Sequence, residues 1–424
     1  MESLVYHRHT CRLCDSPNVP LALKLTDCPP VDAFIPEAKR ALVQPRFPID
    51  LYLGEQCGHG QLLDVVSPKL LFGDYIYTTA SSPGLVNYFR DYANHVVAKL
   101  APGTGARALD IGSNDGTLLS ILKAKGLIVL GVDPAQEVAA SATAAGIETL
   151  PNFFNSQMGT DLRRTRGAFD LVTANNVFAH SDTLGDMADG IRSLLAPGGV
   201  FVFEVSYLLD MIENMVFDFI YHEHLSHHSV RPLKIFLKRH GLQLFDVERT
   251  ASKGGTIRCY AQLADGPRAE SPEVHRLLLL EDKFGLYRLE TYRAWGQRID
   301  AAKGALNEFL AKAKSEGKAV AGYGASATGT VLTYHFDLGQ VMGFIVDDNP
   351  VRQNRYSPGD HIPILASSAL VERKPDYVLI LAWRFADMII ARNQAYLAQG
   401  GAFIVPLPEL RVIEATEEIF LAKS

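Results

Sequence analysis

The middle of the chain alternates short apolar runs with segments of helical periodicity. The apolar runs are RALDIG (107–112), IVLGVD (128–133), FDLVTAN (169–175) and GVFVFEV (199–205). This alternation is typical of βαβ units, in which helices cover both faces of a parallel sheet. The pattern therefore predicts an α/β domain over residues 76–268.

A second α/β block follows after a long stretch of helical spacing. Its apolar runs are AVAGYG (319–324), GFIVDD (343–348), YVLILAW (377–383) and GAFIVPL (401–407). The stretch between the two blocks has helical spacing and ends in charged residues, which predicts one or two amphipathic helices. We expect linking helices over 269–315 and a second α/β domain over 316–424.

The first 75 residues differ from both blocks. They carry four of the five cysteines and show little helical periodicity. A small, loop-rich unit of this size has difficulty burying enough surface on its own, and a bound metal would help to hold it together. We therefore expect a small metal-binding domain over residues 1–75.

Composition narrows the class of protein. The chain is 47% hydrophobic and 21% charged, which excludes a mainly disordered, collagen-like or coiled-coil chain. It has no apolar stretch of about 18 residues and no apolar region in MESLVYHRHT, so we expect a cytoplasmic protein without a membrane span. A net charge of −6 without a basic tail argues against nucleic acid as a partner. Five unevenly spaced cysteines argue against a disulfide framework.

The segment 110–116 (DIGSNDG) follows a predicted strand and opens a predicted helix. Its two glycines permit a tight turn and the close approach of a ligand to the backbone. Asp133 ends the next strand with a carboxylate suited to ribose hydroxyls. The carboxylates of Asp110 and Asp115 would repel a pyrophosphate and favour a cationic ligand such as S-adenosylmethionine. The alternative is an ordinary strand–helix turn with a capping aspartate.

This turn, together with LAPGGVFVF (195–203), resembles the corresponding segments of class I methyltransferases. The resemblance implies a Rossmann-like domain that binds S-adenosylmethionine. The implied cofactor-binding residues are Asp110, Gly112, Asn114, Asp115, Gly116, Asp133, Pro134, Asn152, Phe153 and Asn175.

Four proton-transferring or polar side chains follow one another at 221–224 (YHEH), just beyond the strand predicted at 199–205. This position lies near the carboxyl edge of the sheet, where open α/β folds bind ligands. Consecutive residues on a helix face different directions, so the spacing is wrong for metal chelation of the HExxH kind. It suits a loop that points one imidazole at a substrate while a carboxylate orients a neighbour. A polar surface loop with incidental histidines is the alternative.

Eight segments in order along nearly the whole chain resemble the deoxysugar C-methyltransferases. They are CRLC (11–14), CGHGQL (57–62), DYIYTTASS (74–82), DIGSNDG (110–116), YHEHL (221–225), KGGTIR (253–258), GYGASATG (322–329) and QNRYSPGDHIPI (353–364). Members of that family have an N-terminal zinc-binding domain, a central S-adenosylmethionine domain and a C-terminal Rossmann-like domain. They methylate C3 of nucleotide-linked 4-keto-6-deoxyhexoses, and the resemblance implies the same α/β fold and activity here.

The resemblance also implies catalytic roles. His224 matches the family base, Glu223 the acidic residue before it, and Tyr221 the tyrosine of the same motif. His180 and Tyr75 match further active-site groups. A ketone at C4 acidifies the C3 proton because the resulting carbanion is an enolate, and a neutral histidine can remove that proton near neutral pH. Tyrosine hydroxyls could donate hydrogen bonds to the enolate oxygen.

Cys11-x-x-Cys14 is half of a zinc knuckle. The family's second half is usually C-x-x-C, but the corresponding segment here begins with Gly54, so one expected ligand is missing. Cys28 is one possible replacement, and a degenerate site of buried thiols without metal is the alternative. The ligands that we expect for a structural zinc are Cys11, Cys14, Cys57 and His59.

The second glycine turn, AVAGYGASATG, is followed one strand later by Asp347 and Asp348. Read alone, it would also fit NAD, because G-x-G-x-x-A is a permitted dinucleotide pattern. The hydroxyls of Tyr323, Ser326 and Thr328 suit phosphate oxygens, and by the resemblance this domain holds the nucleotide sugar. The implied substrate neighbours are Tyr77, Lys253, Gly322, Tyr323, Gly324, Ala325, Ser326, Asn354 and Trp383. Lys253 stands where the family often has histidine, and core packing is the alternative for Trp383.

Three other functions stay open on the sequence alone. An NAD-dependent sugar-nucleotide reductase or epimerase would use the C-terminal turn, but no convincing Tyr-x-x-x-Lys pair lies near either turn. A scaffold would bind a nucleotide sugar without catalysis. O- or N-methylation would use the same cofactor fold. The nucleotide of the substrate could be TDP or GDP, and we expect a monomer.

Overall fold

The N-terminal unit is built from short antiparallel strands and one short helix. The structure is a computed structural model that describes residues 4–72, 79, 83–415 and 418–420. The elements of this unit are Val5–His7 (β1), Leu21–Leu23 (β2), Ile35–Pro36 (β3), Leu51–Leu53 (β4), Gly60–Leu62 (β5), Asp64–Val66 (β6) and the helix Pro68–Phe72 (α1). Strand β1 pairs with β6, and β2, β4 and β5 form an antiparallel sheet.

The central unit is built around a seven-stranded sheet. Its helices are Pro83–Leu100 (α2), Thr117–Ala124 (α3), Gln136–Ala144 (α4), Ser156–Arg166 (α5), Leu184–Leu194 (α6), Leu208–Glu213 (α7) and Val230–Arg239 (α8). The strands along this part of the chain are Arg107–Ile111 (β7), Ile128–Val132 (β8), Thr149–Leu150 (β9), Phe169–Asn175 (β10), Leu195–Ser206 (β11), Ser226–His227 (β12), Leu242–Thr250 (β13) and Thr256–Leu263 (β14). In the sheet these strands have the order β13-β14-β11-β10-β7-β8-β9, and β14 runs antiparallel to both of its neighbours, β11 and β13. This architecture is the expected class I methyltransferase fold.

The order of these strands decides which residues meet. Strands β7, β8 and β10 are parallel neighbours, so their carboxyl ends share one edge of the sheet. Thr173 is in register with Asp110, and Asp110 is in register with Gly131. The first glycine turn, Asp133 and Asn175 consequently lie at the same edge, where open α/β sheets bind ligands.

Two helices connect the central unit to the C-terminal unit. They are Pro272–Phe284 (α9) and Leu289–Ser315 (α10). Tyr292, Trp295 and Ile299 recur along one face of α10 at helical spacing and are buried. The amphipathic pattern thus reflects packing of this helix against the protein.

The C-terminal unit is built around a second seven-stranded sheet. The strands of this unit are Val320–Tyr323 (β15), Ile345–Val346 (β16), Arg355–Tyr356 (β17), Ile364–Leu365 (β18), Tyr377–Ile380 (β19), Ala402–Val405 (β20), Arg411–Ile413 (β21) and Glu418–Phe420 (β22). All but β17 form the sheet, in the order β18-β16-β15-β19-β20-β21-β22, which is parallel up to β20 and antiparallel beyond it. Its helices are Ala327–His335 (α11), Ala369–Arg373 (α12), Ala386–Arg392 (α13) and Gln394–Ala398 (α14). Strand β15 leads into the second glycine turn and α11, as the sequence predicts.

Strand pairing joins the three units to one another. Strand β12, which follows the YHEH segment, pairs with β5 and extends the N-terminal sheet to the order β12-β5-β4-β2. Strand β17 of the C-terminal unit pairs with β3. The segment carrying His224 is therefore fixed between the central sheet and the N-terminal unit. Within the described ranges, no helix has both the length and the apolar character that a membrane crossing requires.

Candidate active site

The first glycine turn depends on left-handed backbone at two glycines. Gly112 has φ +71° and Gly116 has φ +77°. A Cβ on Gly112 would lie 2.3 Å from Val177 Cγ2, so a side chain there would require both a strained backbone and a shift of the neighbouring loop. The turn can therefore pass closely along the edge of the sheet only with glycine at position 112.

Carboxylates hold this turn in place. Asp133 accepts hydrogen bonds from the backbone N–H groups of Asn114 and Ala135, each at 2.9 Å. Asp115 accepts from the backbone N–H and the hydroxyl of Thr117, the first residue of α3, at 3.1 and 2.6 Å, whereas the N-cap residue of this helix is Gly116. Asp110 accepts from the Thr173 hydroxyl at 2.6 Å, and burial raises the pKa of Asp110 to about 7. The carboxylates thus shape the turn as well as give it negative charge.

The same edge carries buried polar atoms that suit a polar ligand. Within the part of the chain that the structure describes, the hydroxyl of Ser113 is buried without a hydrogen-bond partner, and the amide of Asn175 is buried beside the Tyr92 hydroxyl. Such groups normally find partners, because desolvating them without a hydrogen bond is costly. Asn152 and Phe153 follow β9 at the exposed rim, with Pro134 half-buried nearer the turn. These residues fit S-adenosylmethionine.

His224, Tyr221 and His180 form one aromatic cluster. The ring centroid of His224 lies 4.1 Å from that of Tyr221 and 5.2 Å from that of His180, and the two imidazoles are stacked at 23°. His224 Nδ1 lies 2.7 Å from the carbonyl oxygen of Phe219. Because a carbonyl can only accept, Nδ1 carries a hydrogen, so Nε2 is the nitrogen that accepts when the ring is neutral. This tautomer is the one that a general base acting through Nε2 needs.

Glu223 directly precedes His224 in sequence, and its pKa differs from that of an ordinary glutamate. Burial, followed by the nearby Asp32 carboxylate, raises the pKa of Glu223 to about 8. Asp32 comes from the N-terminal unit and lies 3.7 Å from Arg352 of the C-terminal unit. No sequence motif marks Asp32 or Arg352, because the ion pair between these two residues and the proximity of Asp32 to Glu223 join three separate units.

His222 is directed away from the cluster. Its Nε2 lies 3.2 Å from the carbonyl oxygen of Phe47, to which it donates, and the side chain is buried. His227 and His228 are also buried, and Nε2 of His228 lies 3.0 Å from the carbonyl oxygen of Phe178. Among the described histidines at 222–228, His224 stacks with His180 and contacts Tyr221, and His227 lies edge-on to His224 at a centroid distance of 6.5 Å. The predicted Tyr75 and Tyr77 lie outside the described residues.

The buried His222 predicts a specific dependence of stability on pH. Burial lowers the pKa of His222 to about 4, whereas an unfolded histidine titrates near ~6.5. Its contribution to stability is fully present above the unfolded value and is lost as the pH falls towards 4. We expect His222→Gln to reduce the loss of unfolding free energy between pH 7 and pH 5 by ~2 kcal/mol.

Urea unfolding of the wild type and the His222→Gln variant at both pH values measures this difference. Glutamine retains an N–H that can donate to the Phe47 carbonyl but does not titrate. Equal acid losses in the two proteins would show that His222 is not the group responsible.

The second glycine turn is also a tight strand–helix connection. Gly324 has φ +96°, and a Cβ there would lie 2.5 Å from the Ala382 side chain. Ser326 caps α11 by accepting from Gly329 N at 3.1 Å, and the Tyr323 hydroxyl donates to the Asp348 carboxylate at 3.0 Å. A narrow cleft at this turn is lined by Ala325, Ser326 and Phe34, the last from the N-terminal unit.

The remaining predicted substrate neighbours differ in their surroundings. Gly322 lies inside β15, where a Cβ would approach Met342 Sδ to 2.8 Å, and Asn354 is exposed. Trp383 is 7% exposed and donates through Nε1 to Asp218 at 2.9 Å, an environment that fits the core-packing alternative. Lys253 lies in the turn Ser252–Gly254, and its side chain is outside the description.

Three of the predicted metal ligands lie together. The sulfur atoms of Cys11, Cys14 and Cys57 are within 4.8 Å of one another, a spacing that fits zinc. His59 is not part of this cluster, so the prediction of His59 as the fourth ligand is wrong. Gly58, with φ +84°, turns the chain, and the buried His59 lies 3.1 Å from the Ser226 hydroxyl through Nε2. Cys28 is also outside the cluster.

Gly54 faces the cluster at the position of the missing ligand. A Cβ on Gly54 would lie 3.0 Å from Cys11 Sγ and 3.6 Å from Cys57 Sγ. We expect Gly54→Cys to tighten zinc binding by about 10-fold or more, because zinc prefers four tetrahedral ligands.

Competition with a chromophoric chelator measures this affinity, and the spectrum of the cobalt-substituted protein reports the number of thiolates. Gly54→Ala is the matched control, since it introduces the same Cβ without a sulfur. If the cysteine and alanine variants bind zinc equally, the side chain at position 54 does not supply the fourth zinc ligand.

Three family models match the chain in sequence. They are described as "Putative zinc binding domain" (residues 11–72), "Methyltransferase domain" (86–247) and "C-methyltransferase C-terminal domain" (251–408). The chain is 32% identical to the C-methyltransferase NovU from Streptomyces niveus over 416 residues, which cover 98% of this chain and 99% of the relative.

Solved methyltransferase structures match slightly less than half of the chain. The magnesium protoporphyrin IX methyltransferase ChlM from Synechocystis PCC 6803 with bound SAM is 16% identical over 46% of this chain and 88% of its own, with a TM-score of 0.32. An S-adenosylmethionine-dependent methyltransferase from Clostridium acetobutylicum is 16% identical over 47% of this chain and 96% of its own, with a TM-score of 0.33. The family of this chain is shown by the family models and by the similarity to NovU.

Proposed function

The chain belongs to the S-adenosylmethionine-dependent C-methyltransferases, and from that premise we propose that it methylates C3 of a nucleotide-linked 4-keto-6-deoxyhexose. Family membership removes the alternatives of a nicotinamide-dependent enzyme and a noncatalytic scaffold. The observation that carries the proposal is the orientation of His224, whose Nδ1 donates to the Phe219 carbonyl and leaves Nε2 as an acceptor beside Tyr221.

A base of this kind is required because carbon, unlike oxygen, does not readily release a proton. His224 Nε2 takes the proton from C3, and the electron pair of the broken C–H bond enters the enolate formed with the C4 ketone. S-adenosylmethionine, held at the turn 110–116, would supply a methyl group activated on its sulfonium. C3 would form a bond to this methyl carbon as the carbon–sulfur bond breaks, with its electron pair left on sulfur, and S-adenosylhomocysteine would leave. The protonated His224 then returns its proton to solvent.

Neighbouring side chains stabilise and orient this step. Tyr221 supplies a hydroxyl next to the base, suited to donate a hydrogen bond to the enolate oxygen. Glu223, with its pKa raised to about 8, is protonated at neutral pH and can donate in the same way. His180 stacks on His224 and limits the tilt of its ring.

The nucleotide part of the substrate is assigned to the C-terminal unit. The backbone of the turn after β15 opens beside Phe34, and the start of α11 favours the negative charge of a diphosphate. Arg352 offers a further positive charge nearby, balanced by Asp32 and Asp347 at 3.7 Å each. A zinc ion held by the three thiols would have a structural role in this assignment.

The proposal is tested with a matched pair of nucleotide sugars. One carries a ketone at C4, and the other carries a hydroxyl at C4 and is otherwise the same. Incubation with S-adenosylmethionine should give a product with a new carbon–methyl bond at C3 from the ketone only, as read by mass and NMR spectra. Methylation of the alcohol, or of an oxygen in either sugar, would contradict the proposal.

A further inference from the structure

Arg12 occupies an unusual place between two clustered thiols. It separates Cys11 from Cys14 in sequence, yet its side chain is fully buried and only 4% of the residue is exposed. A buried guanidinium needs acceptors for its N–H groups, because removing a charge from water is costly. The acceptors therefore indicate what this residue holds in place.

The acceptors of Arg12 lie next to the two stacked histidines. Its Nε donates to Asp182 Oδ1 at 2.9 Å, and its Nη1 donates to the carbonyl oxygen of Leu225 at 2.8 Å. Asp182 follows His180 by two residues, and Leu225 directly follows His224. One planar guanidinium thus binds both segments that carry the imidazoles.

The same guanidinium is anchored on the N-terminal sheet. Its Nη2 donates to the carbonyl oxygen of Leu62 at 3.0 Å, and the backbone N–H of Arg12 donates to Gln61 Oε1 at 2.8 Å. Gln61 and Leu62 belong to β5, the strand that pairs with β12. Arg12 therefore joins the N-terminal sheet to the active-site segments through direct hydrogen bonds, and it is joined to the thiol cluster through the backbone, as the residue after Cys11.

We propose that Arg12 is a positioning residue for methyl transfer, which fixes the stacked His180 and His224 relative to the thiol cluster. This inference rests on the proposed function, since it assigns His224 as the base. A reacting group displaced by about 1 Å can lose 10²-fold in rate, whereas a distant substrate contact is unaffected. The effect of Arg12 should therefore fall on kcat rather than on KM.

The test compares Arg12→Met with Arg8→Met, each purified with zinc. Arg8 also donates to Asp182, to Oδ1 at 3.3 Å and to the carbonyl oxygen at 3.4 Å, and its side chain contacts the carbonyl oxygen of Thr10 and the Asp15 carboxylate. It thus shares the Asp182 contact with Arg12, whereas the hydrogen bond to Leu225 is made by Arg12. We expect Arg12→Met to lower kcat by about 10²-fold while KM and zinc content stay within about 2-fold of the wild type. Arg8→Met should retain near-normal kcat.

A second measurement reads the histidines without substrate. In ¹⁵N-labelled protein, the ring signals that disappear in His180→Asn and His224→Asn identify the two imidazoles. These signals should move in Arg12→Met and stay in place in Arg8→Met. If Arg12→Met does not fold, Arg12→Lys serves instead, because it keeps the charge and loses the planar fork.

The outcomes separate this inference from the proposed function. A wild type that does not methylate the keto-sugar overturns the proposed function, whatever the variants do. A competent wild type with Arg12→Met at normal kcat and unmoved ring signals overturns the role of Arg12. Loss of kcat that added zinc restores would also overturn it, because Arg12 would then act only by retaining the metal.

Discussion

Replacing His224 with asparagine is expected to lower kcat by about 10³-fold and to leave the affinity for S-adenosylhomocysteine unchanged. Asparagine places an N–H close to the position of Nδ1, so the hydrogen bond to the Phe219 carbonyl can persist. It has no counterpart of Nε2, the atom assigned as the base. The variant should thus retain the shape of the loop and lose only the proton acceptor.

Two measurements check this prediction. Product formation under saturating substrate gives kcat, and calorimetric titration with S-adenosylhomocysteine gives the affinity for the cofactor. His222→Gln is the matched control, because it removes a neighbouring imidazole that faces Phe47 instead of the cluster. Its kcat at neutral pH should be close to that of the wild type. A His224→Asn variant that keeps a tenth of the wild-type kcat would remove His224 from the role of base.

Replacing Gly112 with alanine is expected to weaken S-adenosylhomocysteine binding by about 10²-fold, since the turn must move by roughly an ångström. Two effects combine there, a φ of +71° and a Cβ that would lie 2.3 Å from Val177 Cγ2. Relief of this overlap displaces the backbone that is assigned to the cofactor. The loss should appear in calorimetric titration of the folded variant.

Gly146→Ala separates these two effects. Gly146 has φ +88°, but a Cβ there would have nothing within 4 Å. Both variants should lose about 1 kcal/mol of stability from the left-handed alanine. Only Gly112→Ala should lose affinity for S-adenosylhomocysteine. Equal affinities in the two variants would mean that the turn at 110–116 does not bind the cofactor.

Local sequence predicts the central sheet well because each buried strand is a short apolar run that can be recognised without knowledge of its neighbours. The predicted strand 169–175 coincides with Phe169–Asn175, and 107–112 exceeds Arg107–Ile111 by one residue. The predicted strand 199–205 is shorter than Leu195–Ser206, since the Pro-Gly-Gly segment enters the sheet through an irregular register next to Phe169. Pairing with a neighbour, which local sequence does not encode, extended this strand.

One motif supplies two groups of the candidate site, and the resemblance to a family supplies a third, His180, from another segment. Tyr221 and His224 share a motif and lie together, but His59 follows Cys57 closely in sequence and still faces Ser226. A single turn at Gly58 decides that direction. The contacts of Arg12 and Asp32 depend on how strands of separate units pair, so no local pattern reveals them.

The central claim is that His224 removes a proton from carbon beside a ketone. It is tested most directly by incubating the enzyme with the 4-keto nucleotide sugar and S-adenosylhomocysteine in deuterated water. If His224 is the base, deuterium enters C3 without methylation, and His224→Asn abolishes this exchange. Exchange at C3 that proceeds equally in the variant, or no exchange with an enzyme competent in methyl transfer, would contradict it.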